Sequence, residues 1–285
     1  MQYELKEEMT PQEINVQHAF SNQAPTFDTE DENNPILKWM RVITRNSVLS
    51  LIKKKASILE LNCGTGIDSI YFAQQGFHIT ATDIAPGMLD KLSEKIKWES
   101  PNKENIHLRE CIDIQQCSFN NLQQFQGRSF DHIFSNFGGL NCTDNLNAVI
   151  QNIKTLLNPG GTATLVLMPP VCLWELALAL KGNFTTAFRR LKKGGTDSHL
   201  EGIQFKTYYY TPAYVRKAFG KAFEIKTIKG LGVFVPPPYL HTFARKHPQL
   251  IELLKKMECL FSSRWPFYSL GDHFLISATK GPSQK

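Results

Sequence analysis

Gly64 and Gly66 close the run Ser57-Ile58-Leu59-Glu60-Leu61-Asn62-Cys63, and this glycine-x-glycine turn is the part of the sequence best suited to holding a ligand. Without a Cβ, a glycine takes backbone angles closed to other residues and lets a bound molecule approach the main chain. Downstream, Phe77-His78-Ile79-Thr80-Ala81-Thr82 runs into Asp83, and a carboxylate at the end of a second strand is where open α/β nucleoside sites grip ribose hydroxyls. Gly66-Ile67-Asp68-Ser69 lacks the third glycine of a dinucleotide fingerprint, which weakens a pyrophosphate reading. Proton transfer would need a base, and His199, His241 and the run Tyr208-Tyr209-Tyr210 are the candidates; a structural role competes for each. Cys63, Cys111, Cys117, Cys142, Cys172 and Cys259 show no C-x-x-C spacing, so reduced core thiols are expected rather than a metal cage or disulfide framework.

The elements that must position these residues follow from periodicity. The β-branched and leucine-rich run before Gly64 reads as a buried strand, and a helix follows from about Ile67 to Gln75, ended by Gly76. Asn34-Pro35 opens an earlier helix carrying Ile36, Leu37, Met40, Ile43 and Ser47 at helical spacing. Pro86 begins a helix to about Lys97, a third strand is expected at Ile106 to Arg109, and Phe130 to Phe134 reads as the fourth. From its carboxyl end emerges Ser135-Asn136-Phe137-Gly138-Gly139-Leu140-Asn141, where open α/β sheets keep their ligands. Leu146, Val149, Ile150, Ile153, Leu156 and Leu157 form an amphipathic core helix, and Thr162 to Met168 is a fifth strand.

After Pro169-Pro170 the alternation stops. Leu173 to Lys193 reads as an inserted helical segment, apolar first and basic last, placed to cover the ligand end of the sheet; a helix lying at a membrane interface is the rival reading. Phe205 to Tyr210 is extended, Thr211-Pro212 caps a helix to Lys221, and Phe223 to Lys229 and His273 to Lys280 supply two last strands. Between them a second insertion holds Pro236-Pro237-Pro238-Tyr239 and a helix with the stripe Leu250, Leu253, Leu254, Met257, Leu260 and Phe261.

Taken together, Glu60 with Gly64 and Gly66, Asp83, Cys111-Ile112-Asp113-Ile114, Phe130 to Asn136 and Leu157-Asn158-Pro159-Gly160-Gly161 resemble class I S-adenosylmethionine-dependent methyltransferases of the small-molecule type. The resemblance runs from about Asn34 to Met168. It implies an α/β fold: a Rossmann-like, doubly wound, mostly parallel seven-stranded sheet with an antiparallel last strand and helical cap insertions. The expected organisation is an N-terminal segment at 1–33 that closes over the cofactor, a cofactor-binding core at 34–170 and a cap insertion at 171–212. Core elements follow at 213–234 and 273–280, around a second insertion at 235–272. The cofactor implied is S-adenosylmethionine, with Glu60, Asn62, Gly64, Gly66, Asp83, Ile84, Met88, Asp113, Ile114, Asn136 and Phe137 as its binding residues; Glu110 competes with Asp113 for the adenine. Phe27 and Asp28 resemble an aromatic-then-Asp pair that folds over the cofactor, often with tyrosine where Phe27 stands; a loosely ordered terminus is the alternative. Phe27, Asn141, Trp174, Tyr209 and Tyr239 are the expected acceptor contacts, no metal is expected, and His199, His241 and Tyr209 are the candidate bases.

Composition bounds the rest. An apolar fraction of 42% in 285 residues supports one core with caps. No run of about 18 apolar residues could span a bilayer. Met1 to Glu8 is polar, with Glu4, Glu7 and Glu8, so no secretory signal is read and a cytoplasmic location is expected. The net charge of +6 is uneven, acidic at the start and basic through Arg189, Arg190, Lys192 and Lys193; that stretch could be a solvated face, or could meet an anionic acceptor, a lipid surface or nucleic acid. The expected activity is methyl transfer to an oxygen, nitrogen or carbon of a small or lipid-like organic acceptor. An RNA or protein methyltransferase is the alternative, although Asn136-Phe137-Gly138-Gly139 is not the asparagine-proline-proline-aromatic signature of base amino-methyltransferases. An inactive cofactor-binding subunit is a third reading. A small or lipid-like substrate, no nucleic acid and peripheral membrane contact at most are the partners expected.

Overall fold

The structure, a computed structural model, describes residues 9–98 and 108–282. Residues 1–8, on which the secretory-signal reading rests, and positions 106 and 107 of the expected third strand lie outside that range.

The described residues open with a helix, α1, Pro11–Glu32, rather than a loose segment. Thr10 caps it: its hydroxyl accepts from Glu13 N–H, the Glu13 carboxylate receives Thr10 N–H, and Pro11 fills the first turn. The next helix, α2 (Pro35–Leu49), starts as expected, with the Asn34 side chain accepting from Ile36 and Leu37 N–H. Then β1 (Ser57–Leu61), α3 (Ile67–Gln74), β2 (His78–Asp83) and α4 (Pro86–Trp98) build the first half of the sheet. The third strand falls later than expected: residues 108–111 are helical and β3 is Ile112–Gln116. Continuing, β4 (Phe130–Ser135), α5 (Leu146–Leu156) and β5 (Leu157–Leu167) complete the parallel core.

The cap insertion is not one long helix. Gly182, in the left-handed region at φ 79°, and the Asn183 cap break it into the single turns α6 (Leu173–Ala177) and α7 (Phe184–Phe188). It then folds back as a two-stranded hairpin, β6 (Thr196–Leu200) with β7 (Ile203–Thr207). After α8 (Pro212–Phe219) come β8 (Phe223–Leu231), the helices α9 (His241–Lys246) and α10 (Pro248–Phe261), and the last strand β9 (His273–Lys280).

The sheet order is β3-β2-β1-β4-β5-β9-β8. Pairings from β3 through β5 are parallel, while β9 runs antiparallel to both neighbours, giving the Rossmann-like sheet with one reversed strand. Alternate strand residues bury to opposite faces: Leu59, Leu61, Ile133 and Leu165 pack with α5 and α8, whereas Ile58, Ile79, Ala81 and Phe134 pack with Phe72, Leu89 and Leu92. β1 pairs with β2 on one side and β4 on the other, so the chain reverses its winding there and leaves a crevice at the carboxyl ends. The second insertion packs Val235, Ala244 and Ile251 against Ile36 and Met40 of α2. Glu258 anchors it by accepting the N–H groups of Val233, Phe234 and Val235 at 3.0, 2.7 and 3.1 Å.

Candidate active site

The crevice contains a cavity of about 430 Å³. Glu60, Asn62, Gly64, Asp83, Ile84, Met88, Asn136 and Phe137 form its floor and sides, Val16, Phe20 and Phe27 of α1 close one flank, and Ser198, Leu200 and Phe205 of the hairpin close another.

Local backbone geometry shapes the floor. Asn62, Gly64 and Gly66 all have positive φ, at 51°, 56° and 76°. For Asn62 that conformation is held by its side chain, which donates to Asn136 O at 3.1 Å and accepts from Ser135 Oγ at 2.6 Å, tying the loop after β1 to the loop after β4. Gly64 N–H donates to Asp83 Oδ2 at 2.8 Å and Ala85 N–H to Oδ1 at 2.9 Å. Each carboxylate oxygen keeps a further lone pair for a ligand hydroxyl. Burial raises the Asp83 carboxyl, and the N–H groups of Ala85, Gly64 and Ile84 oppose it. Phe27 lies on Gly64: a Cβ there would stand 3.8 Å from the Phe27 ring.

A buried charge cluster forms the cavity's back wall. Glu60 accepts from the Ser69 hydroxyl, and burial, reinforced by the Asp68 carboxylate, pushes its carboxyl up to about 8. Asp68 responds the other way. Burial works to raise it, but Arg41 and Arg45 outweigh that and hold it below the usual carboxylate range. Arg41 also pairs with Asp31 at 2.5 Å, and its guanidinium stands 4.7 Å over the Phe137 ring. Its Nε is buried without a hydrogen-bond partner among the described residues. Cys63 and Cys142 also line the cavity; burial pushes the Cys142 thiol up to about 12, so it stays protonated and is no nucleophile.

Several expected site residues lie elsewhere. Gly66 faces α4, where a Cβ would stand 2.2 Å from Leu92 Cδ1, so helix packing and its φ require glycine there. Asp113 pairs in register with Thr80, while Gln116 pairs with Asp83; Asp113 therefore sits three residues short of the strand's carboxyl end, exposed beside Arg128, with Ile114 next to it on the sheet. The place beside Ile84 belongs to Gln116, which donates to Ile84 O at 2.8 Å, and to Phe119. Asn141 is fully buried and committed, donating to Met168 O and Tyr208 O and accepting Met168 N–H. Trp174 packs on Phe243, Tyr209 lies under Arg190, and Tyr239 and His241 line a separate groove with Thr29 and Asn34. Of the three candidate bases only His199 belongs to a strand lining the cavity, and its side chain is exposed, beside Gln204 on the hairpin face opposite Ser198 and Phe205. The basic stretch is half internal: Glu175 pairs with both Arg189 and Arg190, and Arg190 also with Asp272.

Arg41, Asp68, Val16, Phe20, Leu200 and Phe205 carry no motif. Arg41 had one signal, a charge beside Met40 on the helix face that also buries Thr44 and Val48.

Comparison with known proteins places this geometry. Residues 58–161 match the model of the methyltransferase-domain family. The chain is 28% identical over 141 residues to the candidate methyltransferase YqeM of Bacillus subtilis, a match covering 48% of this chain and 51% of YqeM, about half that protein's length. Against MJ1252 of Methanocaldococcus jannaschii the identity is 24% over 246 residues, covering 82% of this chain and 88% of that protein. Among solved structures, the magnesium protoporphyrin IX methyltransferase ChlM of Synechocystis, with bound S-adenosylhomocysteine, superposes with a TM-score of 0.55 at 15% identity, covering 95% of this chain and all (100%) of that one. The matched segment, residues 58–161, resembles a methyltransferase domain, and the sheet has the Rossmann-like methyltransferase fold.

Proposed function

We propose that the chain transfers the methyl group of S-adenosylmethionine to a small, largely apolar organic acceptor held between α1 and the β6–β7 hairpin. The observation that carries this reading is the lining beyond the cofactor residues, where Val16, Phe20, Phe119, Leu200 and Phe205 present hydrocarbon on several sides. A nucleic-acid acceptor would call for cations against phosphates. Arg189 and Arg190 are tied into ion pairs with Glu175 and Asp272, and the exposed Lys181, Lys192 and Lys193 are not among the residues lining the cavity.

The sulfonium supplies an already activated methyl group, so the protein's tasks are orientation and exclusion of water. In this reading Asp83 accepts the ribose hydroxyls, Ile84 and Met88 flank the adenine, and Arg41, which lines the cavity, supplies the positive charge for the methionine carboxylate. Phe27 covers the glycine turn. An acceptor hydroxyl or ammonium must also shed a proton.

Incubation with methyl-labelled cofactor and, in parallel, fractionated small-molecule extract, bulk tRNA and mixed protein tests the reading. Label should enter small apolar compounds. Label confined to tRNA or protein would overturn it, and S-adenosylhomocysteine binding without turnover on any acceptor would favour a cofactor-binding subunit.

A further inference from the structure

The broken cap helix leaves apolar side chains in solvent. Leu180, Phe184, Phe188 and Leu191 are 91, 62, 47 and 53% exposed, while Ala187 and Arg190 of the same segment turn inward. Single exposed apolar residues are ordinary on a protein surface, but a run of large ones in one short segment marks an interaction site.

The surrounding charge says what kind. Between Leu176 and Thr196 there are five basic residues, Lys181, Arg189, Arg190, Lys192 and Lys193, and no acidic one. Arg189 and Arg190 are tied into the ion pairs with Glu175, so the outward charge is that of the exposed Lys181, Lys192 and Lys193. The next acid, exposed Asp197, pairs with Lys206; hydrocarbon fringed by an excess of cations complements acyl chains beneath anionic headgroups. RNA would answer the lysines but not Leu180 and Leu191, which cannot stack on bases.

We infer that residues 178–193 form a docking face for an anionic lipid surface. The segment connects to the cavity: Thr196, the first residue of β6, donates its hydroxyl to Arg189 O at 2.7 Å, and the same strand brings Ser198 and Leu200 to the wall. Docking would therefore bring the acceptor flank close to the lipid. This goes beyond the acceptor proposal and stands or falls separately from it.

Flotation of the full chain with phosphatidylcholine vesicles, and with vesicles containing about one-third phosphatidylserine, tests it across a salt series. Two variants run alongside: Leu180→Ser/Phe184→Ser/Phe188→Ser, and Lys181→Gln/Lys192→Gln/Lys193→Gln. S-adenosylhomocysteine titration checks that each remains folded. The anionic vesicles should capture the parent and the neutral ones should not; the lysine variant should bind roughly a hundredfold more weakly, and the serine variant should stay unbound. If the serine variant fails to bind S-adenosylhomocysteine, the lysine variant decides alone. No capture by anionic vesicles, equal capture of the parent and the folded variants, or submicromolar tRNA binding that the lysine changes abolish would overturn the inference.

Discussion

At Gly66 a methyl group would collide with Leu92 of α4 and face a φ of 76°, so substitution should act on the fold rather than on the ligand. Gly66→Ala is expected to cost about 1–3 kcal/mol and to lower the melting temperature by several degrees, with S-adenosylhomocysteine affinity retained by the folded fraction. A tenfold affinity loss at an unchanged melting temperature would return Gly66 to the binding surface. Glu60 sets a second residue-scale expectation, through pH. Its carboxyl lies at about 8 in the fold against an ordinary 4.5, so the folded state holds a proton that the unfolded chain has released. That contribution is fully present below the unfolded value and is lost as pH rises through the folded one. Melting of the ligand-free parent between about pH 6 and pH 9 should therefore decline more steeply than that of Glu60→Gln, by a few kcal/mol in all. Parallel declines would contradict the assignment.

Element by element, α1 is where sequence reading failed most. Asn, Gln, Asp and Glu crowd the segment and Pro25 interrupts it, so no apolar stripe announces a helix; only the Thr10-to-Glu13 capping pair did. Its stability comes from tertiary contacts instead. Gln12 donates to Lys206 O at 2.8 Å, Asp28 accepts from the Thr65 hydroxyl at 2.5 Å and pairs with Lys95 at 2.8 Å, and Asp31 meets Arg41. Pro25 deprives Ser21 O of its helical donor, and Gly87 packs there, where a Cβ would stand 2.8 Å from that oxygen. These contacts bind α1 to the glycine loop, α2, α4 and the hairpin at once. Arg41 is the hub, and Arg41→Ala would leave Asp31 buried without its ion-pair partner and Asp68 with Arg45 alone. A loss of about 3–5 kcal/mol is expected in denaturant titration. Arg41→Lys keeps one charge but not the fork, and should weaken S-adenosylhomocysteine about tenfold. If Arg41→Lys binds like the parent, the carboxylate contact is misassigned.

Across the whole molecule, the legible parts were those made by local pattern: most of the buried strands, the glycine turn and Asp83 at the end of β2; the reversal of β9 followed from the family resemblance. Whatever depended on distant chain meeting the site was not legible. The hairpin that brings Ser198 to Phe205 over the cavity hangs on Asn141, a position that read as an acceptor contact and is a latch between the β4 loop, Met168 and Tyr208. Asp113 was misjudged because a strand's register, not its composition, decides which residue reaches the carboxyl end. Both insertions suggested acceptor binding from their aromatic content, yet only the first lines the cavity; the second spends its apolar residues on α2. Leu200→Trp should therefore raise the acceptor Michaelis constant about tenfold or more with cofactor affinity unchanged, while Trp174→Ala and Tyr239→Ala leave that constant near the parent value. The reverse pattern in steady-state kinetics would move the acceptor to the second insertion.

The cofactor site at the β1–β4 switch point is tested most directly by calorimetric titration of S-adenosylhomocysteine into the parent and into Asp83→Ala. One site per chain is expected in the parent. The variant should bind roughly ten- to a hundredfold more weakly, since each hydrogen bond to a charged group contributes about 1.5–3 kcal/mol, and its melting temperature without ligand should stay close to the parent's. No heat at millimolar ligand, or equal affinity in the two proteins, would contradict the placement of the cofactor on Asp83 and the glycine turn.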